Sequence, residues 1–263
     1  MYDFDVEKPN SIADAVKALA REEAQPLSGG QTLIPTLKAR LAMPSVLVSL
    51  KGIAEMQGVC LDDDGRVCIG GGTVHATVAK EVATHYPALA GLAARIGDPA
   101  VRNRGTIGGS LANNDPSACY PAAALASGAS IVTNTREIPA DDYFVGMFET
   151  ALEEGEIVTA VTFPVPQKAH YEKFLQPASR FPMVAVFVAQ FSDGVRVAVT
   201  GASNGGVFRW TEAEAALSAN FSAEALNGLS VDGADMISDL HGDAAYRAHL
   251  TKVMTARAVK AAK

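Results

Sequence analysis

Between residues 11 and 23 apolar positions recur at helical spacing. Ile12, Ala15, Val16 and Leu19 share one face, and Ser11 stands where a cap belongs. A loop through residues 25–35, a short helix and a strand over residues 44–50 complete the first stretch. Residues 60–72 alternate around Asp64–Gly65, which reads as a hairpin turn. Helices are predicted over residues 74–86, 87–95 and 121–127, with a strand over residues 129–134. The densest glycine stretch, residues 95–121, reads as loop up to that third helix.

The texture changes from Glu156. Residues 156–166, 171–181, 183–191 and 194–203 form a strand-rich layer, with turns at Asp193–Gly194 and at Asn204, Gly205 and Gly206. The alanine-rich tail, residues 211–263, reads as helical. A soft domain boundary falls at residues 164–167. Alternating helix-like and strand-like segments define an α+β protein of two or three packed subdomains. The longest apolar run, residues 181–191, is too short to span a bilayer and fits a buried strand or helix.

Composition narrows the function classes. Of 263 residues, 48% are hydrophobic and 19% charged, which suits a globular core. A formal net charge of −7 with no basic face argues against nucleic acid as partner. The cysteines, Cys60, Cys68 and Cys119, are odd in number and lack a CxxC pair. A disulfide framework and a cysteine-ligated iron–sulfur cluster are therefore not expected. Reduced thiols and an acidic N-terminus without an apolar stretch suit a cytoplasmic protein. His75, His85, His170, His241 and His249 show no metal-ligand spacing, and no catalytic triad motif is present.

Two glycine loops carry the candidate chemistry. The first is Leu27, Ser28, Gly29, Gly30, Gln31, Thr32 and Leu33; the second runs from Arg104 and Gly105 through Thr106, Ile107, Gly108, Gly109 and Ser110. Paired glycines free the backbone to expose consecutive amides, and such a nest binds anions. The first loop alone is equally well a tight turn. Neither loop is a Walker A or a GxGxxG fingerprint. Two Gly/Ser/Thr loops roughly eighty residues apart suit a ligand whose central pyrophosphate is gripped from two sides.

Residues 28–50 followed by residues 96–125, together with YEKFLQPASRF and GVRVAVTGAS, resemble the FAD-binding medium subunit of carbon monoxide dehydrogenase and related molybdenum hydroxylases. The xanthine dehydrogenase flavin domain is a more distant relative. The resemblance implies a vanillyl-alcohol-oxidase-type, PCMH-like fold. Two α/β subdomains, residues 1–55 and 56–165, would enclose FAD. Residues 166–263 would form a C-terminal domain with a three-stranded antiparallel sheet and helices. Residues 28–33 would hold the pyrophosphate and ribityl chain, and residues 106–110 would hold it from the other side. Ile96 and Gly97 would lie near the isoalloxazine, and Asn113 near the phosphate and ribose. Cys119 stands where many relatives carry a ribose-binding aspartate, for which Asp115 or Ser117 would substitute. Tyr171 would lie against the flavin or serve as a core aromatic. Lys173 would sit near the flavin or in solvent, and Arg102 and Arg104 would contact phosphate or face a partner.

The implied role is an electron relay with no catalytic side chain. An iron–sulfur small subunit and a molybdopterin-binding large subunit would be its partners, in a dimer of heterotrimers, with an external electron acceptor. A self-contained FAD-dependent oxidoreductase acting on its own small substrate is the alternative, and a nucleotide-binding scaffold without activity is the non-enzymatic one.

Overall fold

The computed structural model describes residues 1–263, and three larger sheets succeed one another along the chain, with a two-stranded one beside the second. The first holds β1 (Asp5–Glu7), β2 (Ala24–Leu27) and β3 (Val46–Ser49), all parallel, in the order β1-β3-β2. Helix α1 (Ile12–Leu19) crosses from β1, capped by the Ser11 hydroxyl accepting from the Asp14 amide. Its buried Ala15, Ala18 and Leu19 join Val46, Val48 and Leu50 in a small core. The helix stops short of the expected residue 23, where Glu23 takes φ of +56°. Residues 25–27 were expected as loop, yet β2 runs over residues 24–27. They pair as an edge strand, the one position where Pro26, with no amide hydrogen, is tolerated. Helix α2 (Leu33–Lys38) follows.

The second sheet is antiparallel. It contains β4 (Val59–Leu61), β5 (Val67–Gly70), β6 (Ser130–Thr133), β7 (Glu137–Pro139) and β10 (Val158–Phe163), in the order β4-β5-β10-β6-β7. Between β5 and β6 lie α3 (His75–Glu81), α4 (Pro87–Ala94), α5 (Pro99–Arg102), α6 (Ile107–Asn113) and α7 (Tyr120–Ser127). The glycine stretch read as loop thus contains two short helices. After β7 come α8 (Ala140–Tyr143) and the hairpin β8 (Phe144–Gly146) and β9 (Glu149–Thr150). The Asn114 side chain pins this hairpin by donating to the Gly146 and Glu149 carbonyls.

The third sheet is an antiparallel meander of β11 (Lys168–Leu175), β12 (Pro182–Phe191), β13 (Gly194–Ser203) and β14 (Gly206–Arg209). It has four strands, not the three expected. The fourth is four residues long and only partly buried, so it carries no alternation to read. The expected turn at residues 204–206 folds it back, with Gly206 at φ of +90°. Both faces of this sheet are covered. Ala185, Phe187, Ala189 and Ala198 face the core shared with α4 and α7. Val184, Val186, Val188, Val195, Val197 and Val199 face α9 (Thr211–Ala219) and α10 (Ala244–Ala261). Burial on both sides explains why residues 181–191 are continuously apolar and not alternating. The tail is less helical than expected: residues 227–243, rich in Gly and Asp, separate a 3-10 turn from α10.

Two ionic clusters, each with one buried member, tie these pieces together. Arg247 on α10 donates to the Met183 and Gly201 carbonyls and, in two bonds, to Asp239. Glu156, at the entry to β10, accepts from both Thr133 and Thr135 hydroxyls, from the Glu153 amide and from Arg136 in a two-pronged pair. The Arg136 bonds, with those of Thr133, Glu153 and Thr135, outweigh burial and hold the Glu156 carboxyl at about 2, below its ordinary 4.5.

A depressed folded-state pKa stabilises the fold above the unfolded value and is lost as pH falls through the folded one. Stability is therefore expected to drop between about pH 4.5 and about 2. Glu156→Gln should be less stable at neutral pH and show a shallower acid limb in denaturant titrations across that window. Parallel acid limbs in the two proteins would remove Glu156 from the account.

Candidate cofactor-binding site

Strand β2 ends at Leu27, and the chain turns through residues 28–32 into α2. Gly30 takes φ of +70°, a conformation that side chains rarely adopt. The amides of Gly29, Gly30, Gln31 and Thr32 find no acceptor within the chain, whose only bond among their side chains runs from Gln31 to the Gly29 carbonyl. Four successive free donors at a turn form an anion-binding nest.

The second loop is built differently. Thr106 caps α6, its Oγ1 accepting from the Gly109 amide at 3.1 Å. The next amides are already committed: Ile107 donates to the Thr73 carbonyl, Gly108 to the Gly71 carbonyl and Ser110 to the Thr106 carbonyl. This loop therefore offers hydroxyls and a close approach, not free amides. The two loops touch. Ser28 Oγ and Thr106 Oγ1 share a hydrogen bond of 2.7 Å. A Cβ on Gly29 would lie 2.2 Å from the Arg104 carbonyl oxygen, so only glycine fits there.

A cavity of about 610 Å³ opens over both loops, within the size range of small-molecule and cofactor sites. Residues 28–33 all line it, as do Thr106, Gly108, Gly109, Ser110, Asn113 and Asp115. Four expected residues lie outside its lining. Ile107 is turned into the core, and Ile96 packs against that core. Gly97 takes φ of +50° with the Val101 side chain beside it. Tyr171 is 3% exposed, its ring 6.3 Å from Phe187 and beneath the Arg95 guanidinium, with no partner for its hydroxyl.

Other side chains resolve the alternatives left by the sequence. Arg102 donates to the Ile96 and Gly97 carbonyls and braces that loop. Lys173 is buried, donating to the Arg95 carbonyl and lying 3.6 Å from Cys119 Sγ. Cys119 is buried too and does not reach the cavity, whereas Asp115 lines it while accepting from the Ser117 amide.

The cavity also has walls that no motif marked. Gln25 and Pro26 come from β2, Gly71 follows β5, and Glu156 and Ile157 lead into Val158 at the start of β10. The run Gly70, Gly71, Gly72 was a readable signal, because a Cβ at Gly71 would lie 2.2 Å from the Val158 carbonyl oxygen. His75 lines the cavity as well, 4% exposed, with Nδ1 unpartnered and the ring 5.3 Å from that of Tyr120. Burial, and secondarily the Arg102 charge, pushes His75 down to about 4, so the imidazole is neutral at physiological pH.

No lysine or arginine lines the cavity; its charged walls are Asp115 and Glu156. A phosphate group there would meet neutral amides, hydroxyls and an uncharged imidazole. The free amides of residues 29–32 and the glycine cradle fit a pyrophosphate-bearing nucleotide.

Comparison with known proteins agrees with this chemistry. The family model described as the FAD binding domain in molybdopterin dehydrogenase matches residues 2–166. The carbon monoxide dehydrogenase medium chain of Afipia carboxidovorans is 34% identical, with 99% of this chain and 96% of that protein covered. The nicotine 6-hydroxylase medium subunit of Paenarthrobacter nicotinovorans is 36% identical, covering 95% of this chain and 94% of its own. A chain in the solved structure of reconstituted CO dehydrogenase from Oligotropha carboxidovorans superposes with a TM-score of 0.89 at 32% identity, over 98% of this chain and 96% of that one. Matched along nearly its whole length, and with its FAD-binding domain spanning all the residues that line the cavity, the chain belongs to the FAD-binding medium subunits of the carbon monoxide dehydrogenase and molybdenum hydroxylase family of oxidoreductases, and FAD is its cofactor.

Proposed function

We propose that this chain is the electron-transfer subunit of a heteromeric molybdenum hydroxylase. It receives electrons from iron–sulfur clusters of a small subunit, supplied in turn by a molybdopterin-binding large subunit, and delivers them to an external acceptor. The complex is a dimer of heterotrimers in the cytoplasm. Relatives named as medium chains and medium subunits support this reading. So does the chain itself, which has no cluster-ligating cysteine motif. FAD, when bound, exchanges electrons singly or in pairs and so joins one-electron carriers to a two-electron acceptor.

The observation that carries the reading is the contact between the two glycine loops beneath one cavity. Amides of residues 29–32 donate to the pyrophosphate, and the hydroxyls of Ser28, Thr32, Thr106 and Ser110 add further donors. Gly108 and Gly109 allow close approach, and Leu33 adds an apolar wall. Asn113 and Asp115 serve the ribose end. Ile96, Gly97 and Tyr171 belong to the flavin-ring side, with Ile107 setting the second loop from within the core. The same reading divides the chain at residues 1–55, 56–165 and 166–263 and gives the first two parts a vanillyl-alcohol-oxidase-type layout.

Gly109→Val tests the loop pair. A Cβ there would stand 3.0 Å from Thr106 Oγ1 and 3.6 Å from Ser28 Cβ, so a branched side chain crowds the gap between the loops. FAD affinity should fall at least about tenfold, a loss of about 1.4 kcal/mol, while the circular dichroism spectrum stays native. Ser28→Ala, which removes one hydrogen bond, should weaken binding by roughly fivefold. Full FAD occupancy in Gly109→Val would refute the assignment.

Reconstitution tests the electron path. Alone and anaerobic, the chain's flavin absorbance should not bleach with CO, aldehydes or aromatic heterocycles. With its small and large subunits, one such substrate should bleach it. Bleaching by substrate with the isolated chain would favour a self-contained oxidoreductase.

A further inference from the structure

Strands β4 and β5 set Cys60 directly opposite Cys68. The register is fixed by bonds two residues away on either side, Gly70 amide to Gly58 carbonyl and Asp62 amide to Arg66 carbonyl, both 3.0 Å. Hydrogen-bonded pairs recur at every second residue of an antiparallel ladder, so Cys60 and Cys68 are one of them. Their Cα atoms are then about 5.5 Å apart. A disulfide spans Cα separations of about 4.4–6.8 Å, so the Cα spacing of this pair admits the bond. Directly opposite side chains also share a face of the sheet.

The surroundings suit reaction. Cys60 is exposed and Cys68 half-buried, while Cys119 is buried and out of reach. On its inner side the Cys68 thiol meets only the Thr162 hydroxyl, at 3.5 Å.

We infer that Cys60 and Cys68 form a thiol-redox site, closing into a reversible cross-strand disulfide under a low-molecular-weight disulfide oxidant. The exposed Cys60 thiolate attacks the oxidant and releases one thiol. The Cys68 thiolate then attacks the mixed disulfide at Cys60 and releases the second. Both cysteines are oxidised together by two electrons, and the oxidant is reduced to two thiols.

Geometry also makes the bond labile. Opposed Cβ atoms lie about 4.5–5.5 Å apart, beyond the roughly 3.8 Å mean of relaxed disulfides. Closing that gap strains the hairpin, and strained, exposed disulfides are the readily reduced ones. The site lies on the strand that ends beside Gly71, whose carbonyl receives the Gly108 amide at the edge of the cofactor cavity.

The test uses the intact, FAD-loaded chain and oxidised glutathione. The intact mass should fall by two hydrogens, and free thiols should drop from three to one. Digestion should yield a linked Cys60–Cys68 peptide pair that reduced glutathione reopens. Cys119→Ser should still form the link, whereas Cys60→Ser and Cys68→Ser should not, with FAD content as the check on folding. A persistent glutathione adduct on Cys60, three unchanged thiols, or a link that survives excess reduced glutathione would overturn the inference.

Discussion

The candidate cofactor site depends on one contact, the meeting of two backbone loops that are distant in sequence. Gly29 lies against the Arg104 carbonyl, and the Ser28 and Thr106 hydroxyls bond across the same seam. Each loop is delivered by a different sheet. The first leaves the parallel strand β2, and the second opens α6 with its amides anchored on the Gly71 and Thr73 carbonyls. A side chain at residue 29 would part the sheets, and the cavity with them. The division of labour follows. One loop keeps its amides free, while the other spends its own on holding position.

That arrangement would let an acidic protein accommodate an anionic cofactor. The cavity has no cationic wall, and its one imidazole is neutral. Oriented amides carry fixed partial positive charge without the desolvation penalty of a buried ammonium. Glu156 stays in the wall because Arg136 and two threonine hydroxyls satisfy its charge from the side. The third sheet contributes rigidity. Buried on both faces, it backs α4 and α7 on one side and is locked to α10 by Arg247 on the other.

Local signals in the sequence marked the parts whose structure is locally determined. Ser11 capped α1, Asp64–Gly65 turned its hairpin, and the apolar run at residues 181–191 became a strand. Helix α6 was not legible, because Gly108 and Gly109 oppose helix formation and the helix exists through its Thr106 cap and borrowed carbonyls. Strand β2 was hidden by Pro26, and β14 by its length. Within the site, both glycine loops were readable as motifs. His75 and residues 156–158 were not, because tertiary packing alone brings them to the wall. Cys119 and Lys173 could be placed only once the third sheet closed over them.

A cavity built for a dinucleotide, with the pyrophosphate between the loops, would discriminate between the two common flavins. Titration of the flavin-stripped chain with FAD and with FMN, followed by flavin fluorescence, tests this most directly. FMN carries one phosphate and no adenosine, so it forgoes the second loop and the Asn113–Asp115 end. FAD is expected to bind at least about a hundredfold more tightly, a difference of roughly 2.7 kcal/mol. Equal affinities for the two flavins would contradict the account.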